Sequence, residues 1–460
     1  MTSTAPPISI STVRLLAALT AVLVSACTGL TPTTGNPAAS TAASAAPPAA
    51  GAATGTSAGV LAGQPGPNGA APAAPGAPAT GAGAVPPVAA APPPAQPYDQ
   101  AVLAAAQTLL GNAPRPPADA APRPPQALVI DPLIDGLTGA QSVATRAMGA
   151  QIAALIRAKF PQFEVQPFSA ANVARSPLVL VGTFTGVNAQ RQTSGPREAF
   201  RICLALADLK TGKLVSKGLA FAQPAGVDST PLAFFRDAPA FTDDPATQGY
   251  IRTCQGTKAG DAINPLYADR ILAATRVAEA TDAYDAGRYP QALALYSSAE
   301  RTPGGDQFRV YNGLYLAHWK LGHRSQAQAA FGRIVEHGLG QKRLAVKFLF
   351  QPGSTVFPAN SRLSEAYPAW IKAIGDRALA SSACLEVVGH TSATGPEPLN
   401  KRLSELRAAH IKSMLDASAP PRARRTLANG MGLAQTMVGN GRDDTSDALD
   451  RRVEFKVIDC

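Results

Sequence analysis

A long tract without charge near the N-terminus limits where this chain can build a hydrophobic core. Residues 28–98 contain no charged side chain, and about half of the 42 prolines lie within residues 28–125. Alanine, glycine, serine, threonine and proline bury too little apolar surface to offset the entropy of ordering the chain. We therefore predict a disordered linker over 27–125, interrupted at most by a short helix in YDQAVLAAAQTLLGN. The chain after residue 125 is long enough for two or three folded domains.

The residues before this tract are typical of an export signal. Arg14 gives a weakly positive start, and residues 15–24 form an apolar run that is too short to span a membrane. The sequence VSAC at 24–27 resembles the bacterial lipobox. That resemblance implies a signal peptide over 1–26, a lipid on Cys27 and, because no aspartate follows the cysteine, an outer-membrane location facing the periplasm. The alternative is an ordinary secretory signal with an incidental cysteine.

Four cysteines remain after Cys27, and an even number in an exported protein predicts two disulfides. Four cysteines allow three connectivities, and buried free thiols are the alternative. Pairing within domains favours Cys203–Cys254 and Cys384–Cys460.

The charge and the motifs argue against several classes of function. The net charge of +10 favours weak attraction to anionic lipids and to cell-wall carboxylates. No basic run is interleaved with aromatics, so we predict no nucleic-acid partner. The five histidines lack metal-ligand spacing, and Gly430-Met431-Gly432 is a lone Gly-x-Gly. We therefore expect no enzyme, no cofactor and no metal.

The first folded region, 126–265, reads as a small α/β layer domain. A short β-branched run precedes a helical pattern in VATRAMGAQIAALIRAKF, and strands follow, the last two forming a hairpin that turns at Thr211-Gly212. The segments VIDPLIDGLTG and LVLVGTFTG loosely resemble one group of periplasmic lipoprotein domains. That group includes the curli-secretion lipoprotein and the outer-membrane activators of penicillin-binding proteins.

The next region, 266–341, is helical and contains an internal repeat. A glycine, an alanine and an aromatic recur 35 residues apart, as Gly287 and Gly322, Ala292 and Ala327, and Tyr296 and Phe331. This pattern resembles tetratricopeptide helix pairs, whose period is about 34 residues. Two repeats are few for a solenoid, so we expect them to pack against a neighbouring domain. A plain helical hairpin is the alternative.

The last region, 342–460, predicts a βαβαβ domain with strands at LAVKFLF, CLEVVGHT and RRVEFKVI. The run GHTSATGPEPLNKRLSELRAAHI, with Gly430-Met431-Gly432 and Arg451-Arg452-Val453 downstream, resembles the OmpA-like peptidoglycan-binding family. The whole chain is then an α/β and α+β multidomain protein.

The resemblance implies a ligand site for the diaminopimelate of a peptidoglycan stem peptide. In the family, an aspartate and an arginine hold the ammonium and the carboxylate of this zwitterion. Arg407 occupies the arginine position, but Ser392 stands where the family has aspartate. Glu397, Asp443 and Asp450 are candidate replacement carboxylates. The expected peptidoglycan-binding residues are Thr391, Ser392, Asn400, Leu403, Arg407 and Arg451.

The sequence thus predicts a non-enzymatic lipoprotein that links the outer membrane to peptidoglycan and offers a surface for partner proteins. One alternative keeps the OmpA-like fold but loses wall binding and serves protein contacts. In its sharpest form, the protein is a regulatory scaffold that docks on a cell-wall synthase or secretion complex through residues 126–341.

Overall fold

A computed structural model describes residues 93–114, 124–195, 197–359, 363–419, 425–437, 439, 441 and 447–460. It is a mixed α/β structure with two β-sheets and many helices. The predicted signal peptide, Cys27 and most of the predicted linker lie outside the described residues. Within those ranges, no helix is both long enough and apolar enough to cross a lipid bilayer.

The first sheet is formed by segments between residues 126 and 222. The elements of this part are α1 (Tyr98–Gly111), β1 (Gln126–Ile130), β2 (Ile134–Asp135), α2 (Val143–Lys159), β3 (Phe163–Gln166), α3 (Ala170–Val173), β4 (Leu178–Val187), β5 (Ala199–Asp208), β6 (Lys213–Ala222), α4 (Ala233–Asp237), α5 (Pro245–Cys254) and α6 (Pro265–Ala268). The strand order is β3-β1-β4-β5-β6, with β2 also paired to β4. The parallel pairs β3-β1 and β1-β4 are followed by the antiparallel β4-β5-β6. The β5–β6 hairpin turns at Thr211-Gly212, where Gly212 has a φ of +68° that suits glycine.

Helix α1 forms where the sequence allowed a short helix within the predicted 27–125 linker, but it packs against the folded part of the chain. Its apolar residues are fully buried against the sheet, among them Ala101, Ala105 and Leu109. Gly218 of β6 makes this contact possible, because a Cβ there would lie 2.0 Å from the carbonyl oxygen of Ala105. Small side chains at helical spacing resemble low-complexity sequence, but here they let a helix lie close to a sheet.

Four consecutive helices follow, and they place the repeated residues in equivalent positions. They are α7 (Ile271–Asp285), α8 (Tyr289–Glu300), α9 (Phe308–Lys320) and α10 (Arg324–Gly340). Gly287 and Gly322 both have positive φ and lie between the two helices of a pair. The repeated alanines and aromatics are all buried. Gly313 leaves room for the Tyr296 ring, which would lie 2.4 Å from a Cβ at that position.

The second sheet is formed by the C-terminal region. Its elements are β7 (Arg343–Leu349), α11 (Tyr367–Ala380), β8 (Cys384–Gly389), α12 (Glu397–Ser418), β9 (Thr426–Gly430) and β10 (Arg452–Ile458). The strand order is β7-β10-β8-β9, with β10 antiparallel to both neighbours and β8 parallel to β9. Strand β9 is an addition to the predicted βαβαβ order. Its three central residues are exposed, so its sequence has no apolar alternation to reveal it.

The predicted boundaries at 265 and 341 do not separate independent cores. One cluster of buried side chains runs from Phe234 of α4 through the four helices to Phe455 of β10. Residues 239–241 also extend the second sheet, because Lys347 N donates to Pro239 O at 2.9 Å and Phe241 N donates to Ala345 O at 2.9 Å. The helical segment therefore packs against its neighbours, as expected for so few repeats.

The cysteines follow the predicted pairing at one end of the chain only. Cys384 and Cys460 form a disulfide that joins the start of β8 to the C-terminus. The predicted Cys203–Cys254 disulfide is not formed, because both residues are buried free thiols. The Cys203 thiol instead donates to the carbonyl oxygen of Cys254 at 2.9 Å, and Lys217 Nζ lies 3.7 Å from its sulfur.

Candidate functional site

The candidate site begins where β8 ends and α12 passes close beneath it. A Cβ on Gly389 would lie 2.0 Å from the carbonyl oxygen of Ser404, and one on Gly430 would lie 2.4 Å from its Oγ. Ser404 Oγ also accepts from Gly432 N at 2.9 Å. The small residues of the motif thus let the ends of β8 and β9 rest directly on α12.

This contact presents the loop 390–396, which connects β8 to α12. Asn400 Nδ2 holds the loop from α12 by donating to Thr394 O at 2.8 Å and to Gly395 O at 3.2 Å. Thr391 N donates to Gly432 O at 2.9 Å. Ser392 Oγ lies 3.0 Å from Thr394 Oγ1, so two hydroxyls meet within the loop.

Arg407 lies behind this loop, and its guanidinium is fully buried at 0% exposure. Nη1 donates to His390 O at 3.0 Å, at the base of the loop. Nε donates to Ser354 O at 2.9 Å and Nη2 donates to Gln351 O at 3.0 Å. Burial, and then the charge of Arg451, lower the pKa of Arg407 to about 10. The arginine therefore remains a cation, but three of its five N–H groups already bind backbone carbonyls.

The structure brings most of the predicted site residues together but closes the site. Thr391, Ser392, Asn400 and Arg407 belong to one hydrogen-bonded loop and helix, and each is at most 6% exposed. Arg451 is also buried, and its Nε lies 3.3 Å from Phe350 O, to which it donates. Leu403 is half-buried. A ligand cannot reach Arg407 in this arrangement.

The three candidate replacement carboxylates have different fates. Asp450 is fully buried, and its oxygens accept from Met437 N at 2.5 Å and from Gly439 N at 2.7 Å. It therefore holds the backbone at Met437 and Gly439, and its carboxylate is not open to a ligand in this arrangement. Glu397 is exposed in the first turn of α12, where it can meet solvent or ligand. Asp443 lies outside the described residues.

Sequence reasoning predicted a turn at GSTVFPAN but missed that this segment covers Arg407. Residues 350–357, here called the closing turn, connect β7 to the next helix and supply two of the carbonyls that bind Arg407. Its sequence FQPGSTVF contains a Pro-Gly pair, a turn signal that could have located it. What the pair cannot show is which side chain the turn lies upon.

A second buried charge cluster supports the loop from below. His390 Nε2 and Arg452 Nη2 each lie 3.2 Å from Glu454 Oε1. Burial raises the pKa of Glu454, but Arg452 and His390 lower it further, so it stays below the usual range. Burial and Arg452 lower the pKa of His390. Among the described residues, no three His, Cys, Asp or Glu side chains are arranged to hold a metal ion.

Comparison with known proteins gives partial matches. No family model matches the chain. One curated protein, the photosystem I P700 chlorophyll a apoprotein A2 of Gloeobacter violaceus, is 29% identical over 103 residues, which are 22% of this chain and 12% of that protein. The chain therefore spans only a small part of that protein's length.

Among solved structures, similar ones include a peptidoglycan-associated lipoprotein, an OmpA-like domain and a cell-wall anchor. They include the peptidoglycan-associated lipoprotein of Burkholderia pseudomallei, at 20% identity and a TM-score of 0.22 over 25% of this chain and 92% of that one. The OmpA-like domain of FopA1 from Francisella tularensis matches at 19% identity and a TM-score of 0.20, over 25% and 74%. The type VI secretion cell-wall anchor of Pseudomonas aeruginosa matches at 21% identity and 0.21, over 28% and 96%. Each likeness covers about a quarter of this chain, at a low TM-score.

Proposed function

We propose that this chain is a non-enzymatic envelope lipoprotein that links the outer membrane, through a lipid on Cys27, to peptidoglycan, through residues 342–460. The observation that carries the proposal is the 390–396 loop. Residues of the motif build it, and the guanidinium of Arg407 lies directly behind it at 3.0 Å from His390 O. A charged arginine can bind a carboxylate through two parallel donors. Because Nε and Nη2 of Arg407 donate to Ser354 O and Gln351 O in this arrangement, the site has to open before the ligand can bind.

The ligand class that fits this loop is the zwitterionic end of a diaminopimelate side chain. In this proposal Arg407 supplies the cation for the carboxylate, and the Ser392 and Thr394 hydroxyls, which lie 3.0 Å apart, accept from the ammonium. Neutral hydroxyls bind an ammonium more weakly than a carboxylate does, by roughly half of a charge-assisted hydrogen bond. Binding is therefore expected to be about tenfold weaker than with an aspartate at position 392.

The substitution Ser392→Asp tests this function in the full-length protein. We expect sedimentation with purified diaminopimelate-type sacculi to become about tenfold tighter, because the new carboxylate pairs with the ammonium. Ser392→Asn is the matched control, since asparagine has the same size as aspartate but carries no charge. Arg402→Ala tests non-specific attraction between charges, because Arg402 is exposed on α12, the helix that carries Arg407. If neither the natural protein nor the aspartate variant sediments with sacculi, the anchor function is ruled out.

A second function, a regulatory scaffold, is favoured by a different feature. Two cavities of about 420 and 510 Å³ meet at Tyr315 and Trp319 on α9. Apolar side chains such as Leu316 and Leu349 line the first, and Phe331 and Trp370 line the second. Aromatic-lined cavities between packed segments are common places for a partner to bind. The partner class is a cell-wall synthase or a secretion complex.

A crosslinking experiment separates the two functions. A photo-crosslinking residue at Gln328, which lines the larger cavity, should capture one such envelope protein in growing cells. Trp319→Ala should abolish the product and leave sacculus binding unchanged. If the crosslink is absent, or if the Trp319→Ala variant still forms it, the two cavities do not bind that partner.

A further inference from the structure

The segment that covers Arg407 is a compact unit with its own hydrogen bonds. Within the closing turn, Gln351 N donates to Val356 O at 3.0 Å, and Gln351 Nε2 donates to Phe357 O at 3.1 Å. Val356 N donates to Ser354 Oγ at 2.9 Å. Gly353 has a φ of +61°, which allows the reversal of the chain. These contacts keep the carbonyl groups of Gln351 and Ser354 pointing toward Arg407.

The ends of the closing turn are held by aromatic packing. Phe350 is 1% exposed, and its ring centroid lies 5.2 Å from that of Phe357. Phe357 also lies 4.8 Å from Tyr367 of α11 and 5.5 Å from His410 of α12. The tip is different, because Pro352 and Gly353 are exposed and Val356 beside it is 58% exposed. The tip can therefore leave Arg407 while the aromatic ends stay in place.

The two carbonyls that reach Arg407 occupy the donors a ligand carboxylate needs. Ser354 O accepts from Nε and Gln351 O accepts from Nη2, so two oxygens lie on one edge of the guanidinium. A carboxylate binds an arginine with the same arrangement of two oxygens on two parallel donors. The closing turn thus imitates an anionic ligand with neutral carbonyl oxygens.

We infer that the closing turn is an internal substitute for the ligand carboxylate, and that peptidoglycan binds by displacing it from Arg407. The inference rests on the proposed function and adds its regulation. Since only molecules with an open turn can bind, the apparent dissociation constant equals the intrinsic one divided by the open fraction. A ligand carboxylate replaces two neutral acceptors with a charged one, so an anion displaces the turn more effectively than a neutral ligand does.

Loosening the turn without touching Arg407 tests this inference. The double variant Gln351→Ala with Ser354→Ala removes the two side-chain hydrogen bonds within the turn but keeps the fold-bearing aromatics. In the full-length protein, we expect about tenfold tighter binding of a stem tripeptide ending in diaminopimelate, because the open fraction rises. Ser325→Ala with Gln326→Ala is the matched control, since both residues are exposed on α10.

A second ligand makes the outcome specific. A stem tripeptide ending in lysine keeps the side-chain ammonium but lacks the side-chain carboxylate of diaminopimelate. When the C-terminus of both peptides is amidated, binding of the lysine peptide should not tighten in the double variant. If the natural and double-variant proteins bind the diaminopimelate peptide equally, the turn is not a substitute ligand, although the proposed function stands. If both peptides tighten together, the inference is also overturned. If neither protein binds, the proposed function and the inference fail together.

Discussion

At the scale of single residues, the candidate site is set by charge placed out of reach of water. Arg407 and Glu454 are both buried, and each is held by several partners rather than one. A buried charge is tolerated only when such partners satisfy it. Position 392 is different, because it carries a neutral hydroxyl. A hydroxyl costs less to bury than a carboxylate does, but it binds an ammonium less strongly. The serine at position 392 is therefore compatible with a buried loop, where it is 4% exposed.

Asp131 gives a prediction about pH at the residue scale. It is 4% exposed, accepts from the Tyr267 hydroxyl at 2.7 Å, and its pKa is raised by burial to about 7 from an ordinary 3.8. Because the folded state keeps this proton longer than the unfolded state, Asp131 stabilises the fold fully below about pH 4. This stabilisation is lost as the pH rises to about 7, by about 1.4 kcal/mol per pH unit.

The substitution Asp131→Asn should remove this pH dependence. Asparagine keeps an acceptor for Tyr267 and has no proton to lose, so the unfolding free energy should change less between pH 4.5 and 7. Urea unfolding at both pH values measures the difference. Asp269→Asn is the control, because Asp269 is exposed. A natural protein whose stability rises between pH 4.5 and 7, with no change on substitution, would contradict the assignment.

At the scale of elements, α1 shows how a glycine decides where a helix can lie. A Cβ at Gly218 would lie 2.0 Å from Ala105 O. Gly218→Ala should therefore push α1 off β6 and lower the unfolding free energy by about 2–3 kcal/mol. Thermal unfolding measures the loss. Gly111→Ala, at the end of the same helix with open space around its Cβ position, should be neutral or slightly stabilising. Equal effects of the two would argue against close packing of α1.

Elements with a strong apolar periodicity were predictable from the sequence. Strands without such a pattern, and pairings between segments distant in sequence, were not. Helix α2 and the β5–β6 hairpin carry apolar patterns and clear turn residues, so the sequence locates them. Strand β9 lacks such a pattern, because residues 427–429 are exposed. The added pairing of residues 239–241 on β7 involves backbone groups only, and backbone pairing leaves little trace in side-chain type.

At the scale of the whole molecule, the C-terminus is tied back by one disulfide. Cys384 and Cys460 are 76 residues apart in sequence, and closing a loop of that length removes unfolded-state entropy worth about 4 kcal/mol. The double variant Cys384→Ser with Cys460→Ser should therefore unfold at a lower urea concentration and lose its sensitivity to reductant. Cys203→Ser with Cys254→Ser is the control and should keep that sensitivity. If the control loses it instead, the pairing is different.

The shared core also limits how the molecule can be divided in experiments. Deleting 126–265 would remove Phe234 and Phe235 from the core cluster and residues 239–241 from the edge of β7. The deletion would also remove Asp244, whose oxygens accept from Thr247 N at 2.9 Å and from Phe308 N at 2.7 Å. Phe308 N, at the start of α9, would then lose its acceptor. Surface substitutions in the full-length protein are therefore better tests of function than deletions.

The sequence by itself predicted the α/β character of 126–265, the repeated residues of the helical segment, and a motif that singles out Arg407 and Ser392. These follow from local periodicity and from fixed spacing along the chain. Only the tertiary structure decided that α1 belongs to the first sheet, that Cys203 and Cys254 stay apart as thiols, and that the closing turn lies on Arg407. Each of these depends on which distant segments meet, and a buried contact is fixed by shape and hydrogen bonding that the order of residues does not display.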